Sequence, residues 1–137
     1  MFVPEPDVLE RYNQGTSAII GSAIEVHRVC GNGLLESAYE LCLCHELGLR
    51  GWKWERQVVR SINYKGFDIE TAYRMDLVVA GTVVVELKTV EALTEAHQAQ
   101  LLTYLHFSDL YLGLLLNFRE ARLKDGIKRL VNPQFQG

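Results

Sequence analysis

What the chain has little of narrows its class first. No apolar run approaches the roughly 20 residues needed to span a bilayer, so no membrane partner is expected. The stretch from Met1 to Glu10 holds two prolines and three acidic residues and lacks the basic start and apolar segment of a secretory signal. Three cysteines (Cys30, Cys42, Cys44), an odd count without CxxC spacing, suit a reducing cytosol better than a disulfide scaffold, and the protein is expected in the cytoplasm. They also fall short of the four thiolates of a usual iron–sulfur cluster and read as small buried packing residues. Positive charge is not in excess either. With a net charge of −3, unspecific phosphate attraction is weak and any nucleic-acid surface has to be local.

What is present fits one domain. A length of 137 residues with 48% apolar and 23% charged residues supports a layered core around one sheet and argues against disorder. We expect an N-terminal extension over 1–15 and one domain over 16–132, folding alone or as a homo-oligomer. Ile19, Ile20, Ala23, Ile24, Val26 and Cys30 recur at three- and four-residue steps and predict a helix from Thr16 to Cys30, ended by Gly31-Asn32-Gly33. A second helix is predicted from about Leu34 to Leu49, with Leu35, Tyr39, Leu43 and Leu47 on its buried stripe.

Strands follow. Trp52 to Tyr64, with a bend near Arg60, and Phe67 to Val79 flank a turn at Lys65-Gly66, and Thr82 to Thr89 comes after Ala80-Gly81. Leu77-Val78-Val79 and Val83-Val84-Val85 are apolar on both faces, so helices must cover both sides of the sheet. Thr94 can cap a third helix packed through Ala99, Leu102 and Leu105 or Leu101, stopped by Ser108-Asp109, and Tyr111 to Asn117 reads as a buried strand. From Arg119 to Val131 the pattern fits a short helix or an edge strand. The order α-α-β-β-β-α-β predicts an α/β fold.

Asp76, Glu86 and Lys88 are the residues that can carry chemistry. Glu86 and Lys88, two residues apart on one strand, share a face. Two carboxylates can hold a hard cation that neutralises a phosphate and acidifies a bound water, and a lysine can place that water or stabilise developing charge. The plain alternative is ion-paired residues at strand ends, but unpaired charge inside such apolar runs is costly. His97, Gln100 and Tyr104 form a polar stripe able to reach phosphate oxygens, or simply an exposed helix face. Glu36 and Glu40, one turn apart, fit a helix start that favours acidic residues, and the sequence does not place Glu36 near Asp76.

Val26 to Glu40, with Gly33, Glu36 and Tyr39 at the named positions, resembles the signature of the GxxExxY family. Tyr73 to Leu77, Val85 to Lys88, His97 to Leu105, Asn117-Phe118 and Leu123 to Ile127 resemble its other blocks, so the likeness runs from about residue 16 to 132. That family is grouped with the PD-(D/E)XK nucleases. The resemblance implies a restriction-endonuclease-like core with a mixed sheet flanked by helices. It implies Asp76 and Glu86 as metal ligands, Glu36 as the helical acid completing the site, Lys88 as the catalytic lysine, and Gln100 with Tyr104 as a QxxxY pair. Met75 stands where the superfamily's proline would be.

The resulting expectation is a nuclease that uses Mg²⁺ or Mn²⁺ held by Asp76, Glu86 and the Leu87 carbonyl, with Glu36 acting directly or through water. Arg74, His97, Gln100 and Tyr104 would bind substrate. Nucleic acid would be the partner, DNA in preference to RNA. The rivals are a non-catalytic binding module of the same fold and a hydrolase of small phosphoesters. A shared metal also constrains register. A two-residue loop at Ala80-Gly81 would put Asp76 opposite Val85 and send Glu86 to the other face. A three-residue connection or a bulge is therefore predicted, with Asp76 opposite Glu86, Val78 opposite Val84 and Arg74 opposite Lys88.

Overall fold

A computed structural model describes residues 3–137. The first helix, α1 (Pro6–Cys30), starts at Pro6 rather than at the expected Thr16. Proline at the first helical position loses no hydrogen bond and presets φ, a signal that outweighs the polar composition of this segment. Gly31, at φ 75°, ends α1 with its N–H on the His27 carbonyl, a left-handed backbone that glycine adopts without strain. The second helix, α2 (Glu36–Leu49), buries Tyr39, Leu43 and Leu47 as expected. Leu35 is a correction: it precedes the helix in extended backbone and is 77% exposed. Ile24, also assigned to the buried face, is exposed on α1.

The strands are β1 (Trp54–Tyr64), β2 (Phe67–Val79), β3 (Val83–Lys88), β4 (Leu112–Asn117) and β5 (Ile127–Val131), with α3 (Glu95–Ser108) between β3 and β4. They form one sheet in the order β1-β2-β3-β4-β5. All neighbours are antiparallel except β3 and β4, which α3 connects in parallel. The tail after β4 contains both of the alternatives open for it, a 3-10 turn at Leu123–Gly126 and then the edge strand β5.

The apolar runs on both faces are covered as predicted. α1 and α2 pack on one face against Leu77, Val79, Val83, Val85, Leu87 and the inward-facing alternate residues of β4, Leu112, Leu114 and Leu116. α3 packs on the other through Leu101 and Leu105, against Val78, Val84 and Leu115. Ala99, expected in that stripe, is exposed. The seam instead runs where Gly113 lets α3 approach β4: a Cβ there would come within 2.9 Å of Leu101. Cys44 is buried, and Cys30 and Cys42 pack at the edge of the α1–α2 core. Among the described residues, no helix is long and apolar enough to cross a membrane.

Candidate active site

Register decides the site. Val79 pairs with Val83 and Val78 with Val84, so Ala80, Gly81 and Thr82 form the three-residue connection that parity demanded. Ala80 and Gly81 are left-handed (φ 53° and 67°), and the Thr82 N–H closes the turn on the Val79 carbonyl at 3.0 Å. The ladder runs only to Leu77 with Val85. Beyond it side chains replace the main chain. The Asp76 N–H donates to Glu86 Oε2 at 3.2 Å, and the Leu87 N–H donates to Asp76 Oδ2 at 3.0 Å. The two carboxylates therefore lock each strand to the other where the strands part. Arg74 and Lys88, expected to face one another, lie past the last ladder pair.

The charges are confined. Glu86 is 3% exposed, and its pKa is pushed up to about 10, first by burial, then by the hydrogen bond and charge of Asp76. Glu36 is also raised, by burial and by the Asp76 charge, against the opposing pull of Lys88 and a hydrogen bond from the Thr89 backbone. The α2 acid thus belongs to the same electrostatic group as Asp76. What brings it there is Tyr39, one turn on. The Tyr39 hydroxyl donates to the Gly31 carbonyl at 2.6 Å and accepts from the Leu34 N–H at 3.1 Å, and its ring stacks on Phe118 at 4.5 Å. His27 bonds the Glu120 carbonyl at 2.8 Å and Asn32 donates to the Arg119 carbonyl at 3.1 Å. These contacts pin the α1–α2 loop to the end of β4 and so fix the start of α2.

The remaining candidates divide. Lys88 Nζ donates to Gln100 Oε1 at 3.5 Å, which ties the lysine to α3. Tyr104 stacks on Tyr73 with centroids 5.1 Å apart, and its pKa is raised by burial and by the charges of Glu86 and Asp76, against Arg74. His97 is occupied in holding its own helix. Its Nδ1 accepts the Thr94 N–H at 3.0 Å while its own N–H donates to Thr94 Oγ1, a reciprocal cap of α3.

Sequence reasoning gave no place at the site to two groups. Glu40, 4% exposed, accepts from Arg56 at 2.6 Å and from Gln57 at 2.6 Å. Gln57 sits at φ 53° on β1, in the ladder gap between Arg56–Leu77 and Val58–Met75, across from Asp76. Side-chain alternation slips here too, because Tyr73 and Met75 pack on the same side as Val78. Asn117, fully buried, accepts the Val90 N–H at 3.1 Å and donates to the Val90 carbonyl at 2.9 Å, which holds the chain just after Lys88. A polar residue closing an apolar strand was the available signal for Asn117. None existed for Gln57.

The donor set fits a hard divalent cation. Without one, burial and the neighbouring Asp76 charge push the Glu86 carboxyl toward its protonated form; a cation between the two carboxylates removes that conflict. Among the described residues, no three His, Cys, Asp or Glu side chains are arranged to hold a metal by themselves. Mg²⁺ commonly takes one or two carboxylates and keeps several waters, which matches Asp76 and Glu86 with Glu36 one step removed. Clefts of about 440 and 600 Å³ lie around Trp52 and the β2–β3 turn, at the far end of the strands, and the carboxylates line neither.

Residues 13–130 match the family model of the PD-(D/E)XK nuclease superfamily. The crystal structure of SSO0001 shares the fold, with a TM-score of 0.56 at 22% identity, over 90% of this chain and 61% of that one. The chain thus spans less than two thirds of the length of SSO0001. No curated protein matches it.

Proposed function

From the premise that the chain belongs to the PD-(D/E)XK nuclease superfamily, we propose that it hydrolyses phosphodiester bonds of nucleic acid, DNA in preference to RNA, in the cytoplasm. The observation that supports this most is that the Glu86 carboxylate takes the Asp76 N–H and the Asp76 carboxylate the Leu87 N–H, beside Lys88, where a regular ladder should have continued. Strand pairing given up for two facing carboxylates is costly unless a cation offsets it.

Asp76, Glu86 and the Leu87 carbonyl would hold Mg²⁺ or Mn²⁺, and Glu36 would reach it through water. Such an ion supplies charge neutralisation at the phosphate and a more acidic water. Lys88, steadied by Gln100, orients the attacking water or stabilises charge on the phosphate oxygens. Tyr104 and Arg74 donate to the flanking phosphate. His97, held by Thr94, acts by fixing the first turn of α3 and keeps only its Nε2 for substrate. The GxxExxY resemblance fits this reading, since Glu36 and Tyr39 divide the work of reaching the site and holding the loop.

The test is cleavage of labelled single- and double-stranded DNA and RNA with Mg²⁺, Mn²⁺ or EDTA. Divalent-dependent cleavage is expected, and Glu86→Ala and Lys88→Ala should each lower it at least about a thousandfold, since several kcal/mol of transition-state stabilisation is removed. Cleavage that survives both substitutions would sink the assignment. Normal metal binding without cleavage of any polymer would move it to small phosphoesters.

A further inference from the structure

The β1–β2 hairpin continues well beyond the core. Register shifts between Arg60 and Ile62, after which Ile62 pairs with Ile69, Asn63 with Asp68 and Tyr64 with Phe67 around the Lys65-Gly66 turn. Except for Ile62, residues 59–71 are exposed. Tyr64 is 58%, Phe67 68% and Ile69 41% exposed, a concentration of aromatic and apolar surface that a monomeric protein seldom leaves unused.

The two faces of this arm differ. Ile62 packs on the α3 side of the sheet with Val58 and Tyr73, and by alternation and cross-strand pairing Tyr64, Phe67 and Ile69 share its face. Arg60, paired with Tyr73, lies on that face as well. Among the described residues its guanidinium bonds only the Val59 carbonyl, at 3.3 Å. Lys65 Nζ stands 5.3 Å from the Tyr64 ring centre, over one face of the ring. The opposite face carries Asn63 and Asp68, already satisfied by one another at 2.7 Å. Cations and rings are thus together, and Asp68 is turned away.

The same face leads inward. Tyr73 stacks on Tyr104 at 5.1 Å and touches Phe107 at 6.2 Å, and Tyr104 lies within reach of the Asp76 and Glu86 charges. Rings therefore stand at both ends of this face, Tyr64 and Phe67 at the hairpin tip and Tyr73 with Tyr104 near the carboxylates, with Arg60, Ile62 and Ile69 between them over about 30 Å, at about 3.3 Å per residue from Phe67 to Asp76.

We infer that the β1–β2 arm is a stacking track for single-stranded nucleic acid, with Tyr64 and Phe67 receiving bases, Arg60 and Lys65 receiving phosphates, and the half-buried Tyr104, backed by the buried Tyr73, at its inner end beside Asp76 and Glu86. This rests on the reading of the site as a nuclease. Aromatic platforms with interleaved cations bind single strands because every base has a stacking face, and sites of this kind cover about 4–16 nucleotides. A second copy of the chain on the same face would gather the Arg60 and Lys65 cations of both copies into one patch, because a two-fold contact uses the same surface on each copy, and Asp68 is turned away from it.

The experiment is fluorescence anisotropy in EDTA, where no cleavage intervenes, with labelled single strands of about 16 and about 4 nucleotides and a duplex. Wild type should prefer the longer single strand. The double variant Tyr64→Ala, Phe67→Ala should weaken that binding by roughly twenty-fivefold or more, as stacking on each ring is worth at least about fivefold, while Tyr64→Phe should not. Arg60→Ala should weaken it further and flatten its dependence on salt. Unchanged binding by the double variant, or no binding by wild type, overturns the track. So does sedimentation showing a wild-type dimer that the double variant dissociates. Hydrolysis of bis(p-nitrophenyl) phosphate by wild type but not by Glu86→Gln separates the two ideas, since it tests the site without requiring the arm.

Discussion

The two ends of the β2–β3 pair are built from the same two strands to opposite purposes. At the turn end, Leu77, Val78 and Val79 face Val85, Val84 and Val83 in a regular ladder, apolar on both faces and almost wholly buried. At the open end the ladder stops. Asp76 and Glu86 take each other's strand amides, with Glu86 nearly as buried as the valines. The first end is held by packing that gains from burial. The second keeps charge where burial penalises it, and the contrast teaches that the turn end anchors the strain of the open end.

The sharpest test of that contrast is a pair of substitutions on neighbouring rungs. Leu77→Ala, at a site with 0% exposure, should lower unfolding free energy by about 2–5 kcal/mol in urea melts, through lost transfer energy and a cavity. Glu86→Gln should do the reverse for the metal-free protein at pH 7 and raise its melting temperature. Glutamine can accept from the Asp76 N–H and donate to Asp76, as the protonated acid does, without ever charging. If Glu86→Gln also destabilises, the open end is ordinary structure and the contrast is broken.

A second test uses pH and metal. The Glu86 pKa is raised to about 10 in the fold, so between its ordinary range near 4.5 and 10 the folded state binds more protons than the unfolded state. Stability from this group is full below that window and is lost as pH rises through it. The metal-free protein should therefore melt at a higher temperature at pH 5 than at pH 7, with Glu36 contributing in the same direction. Mn²⁺ or Mg²⁺ at 100 times its dissociation constant should add about 2.7 kcal/mol and flatten the trend. A melting temperature that climbs from pH 5 to 7 without metal would contradict the raised Glu86 pKa.

The smallest effect concerns the loop that delivers Glu36. Tyr39→Phe keeps the stack on Phe118 but leaves the Gly31 carbonyl and the Leu34 N–H without the hydroxyl, at about 1–3 kcal/mol. Calorimetry should show a weakened metal response beyond the loss of stability. An unchanged metal affinity would mean that Glu36 does not depend on this clamp.

Much of this was legible in the chain. Period and burial are local, so the α1 and α2 stripes at Ile19, Ala23, Tyr39, Leu43 and Leu47 and the apolar runs of β2 and β3 announce themselves. Errors fell where local pattern and exposure part company: Ile24, Leu35 and Ala99 are apolar but face outward, because each element buries only one stripe and the neighbouring packing selects which. His97, expected at the substrate, also caps α3 through its ring, a role for which a histidine has no strong composition cue. Gln57 gave no warning, since a left-handed non-glycine residue inside a strand follows from its surroundings.

By itself the sequence determined the elements, the acidic and basic residues of the site, and even the register of β2 on β3, because side-chain parity along a strand is fixed and two carboxylates that share a cation must share a face. Only the tertiary structure decided that Glu36 approaches Asp76, since that depends on Tyr39 meeting Phe118 from a distant part of the chain. It likewise decided that Glu86 sits deeply enough to hold its proton, and that the arm beyond Arg60 stays uncovered. Convergence and desolvation belong to the packed whole, and no run of neighbouring residues encodes them.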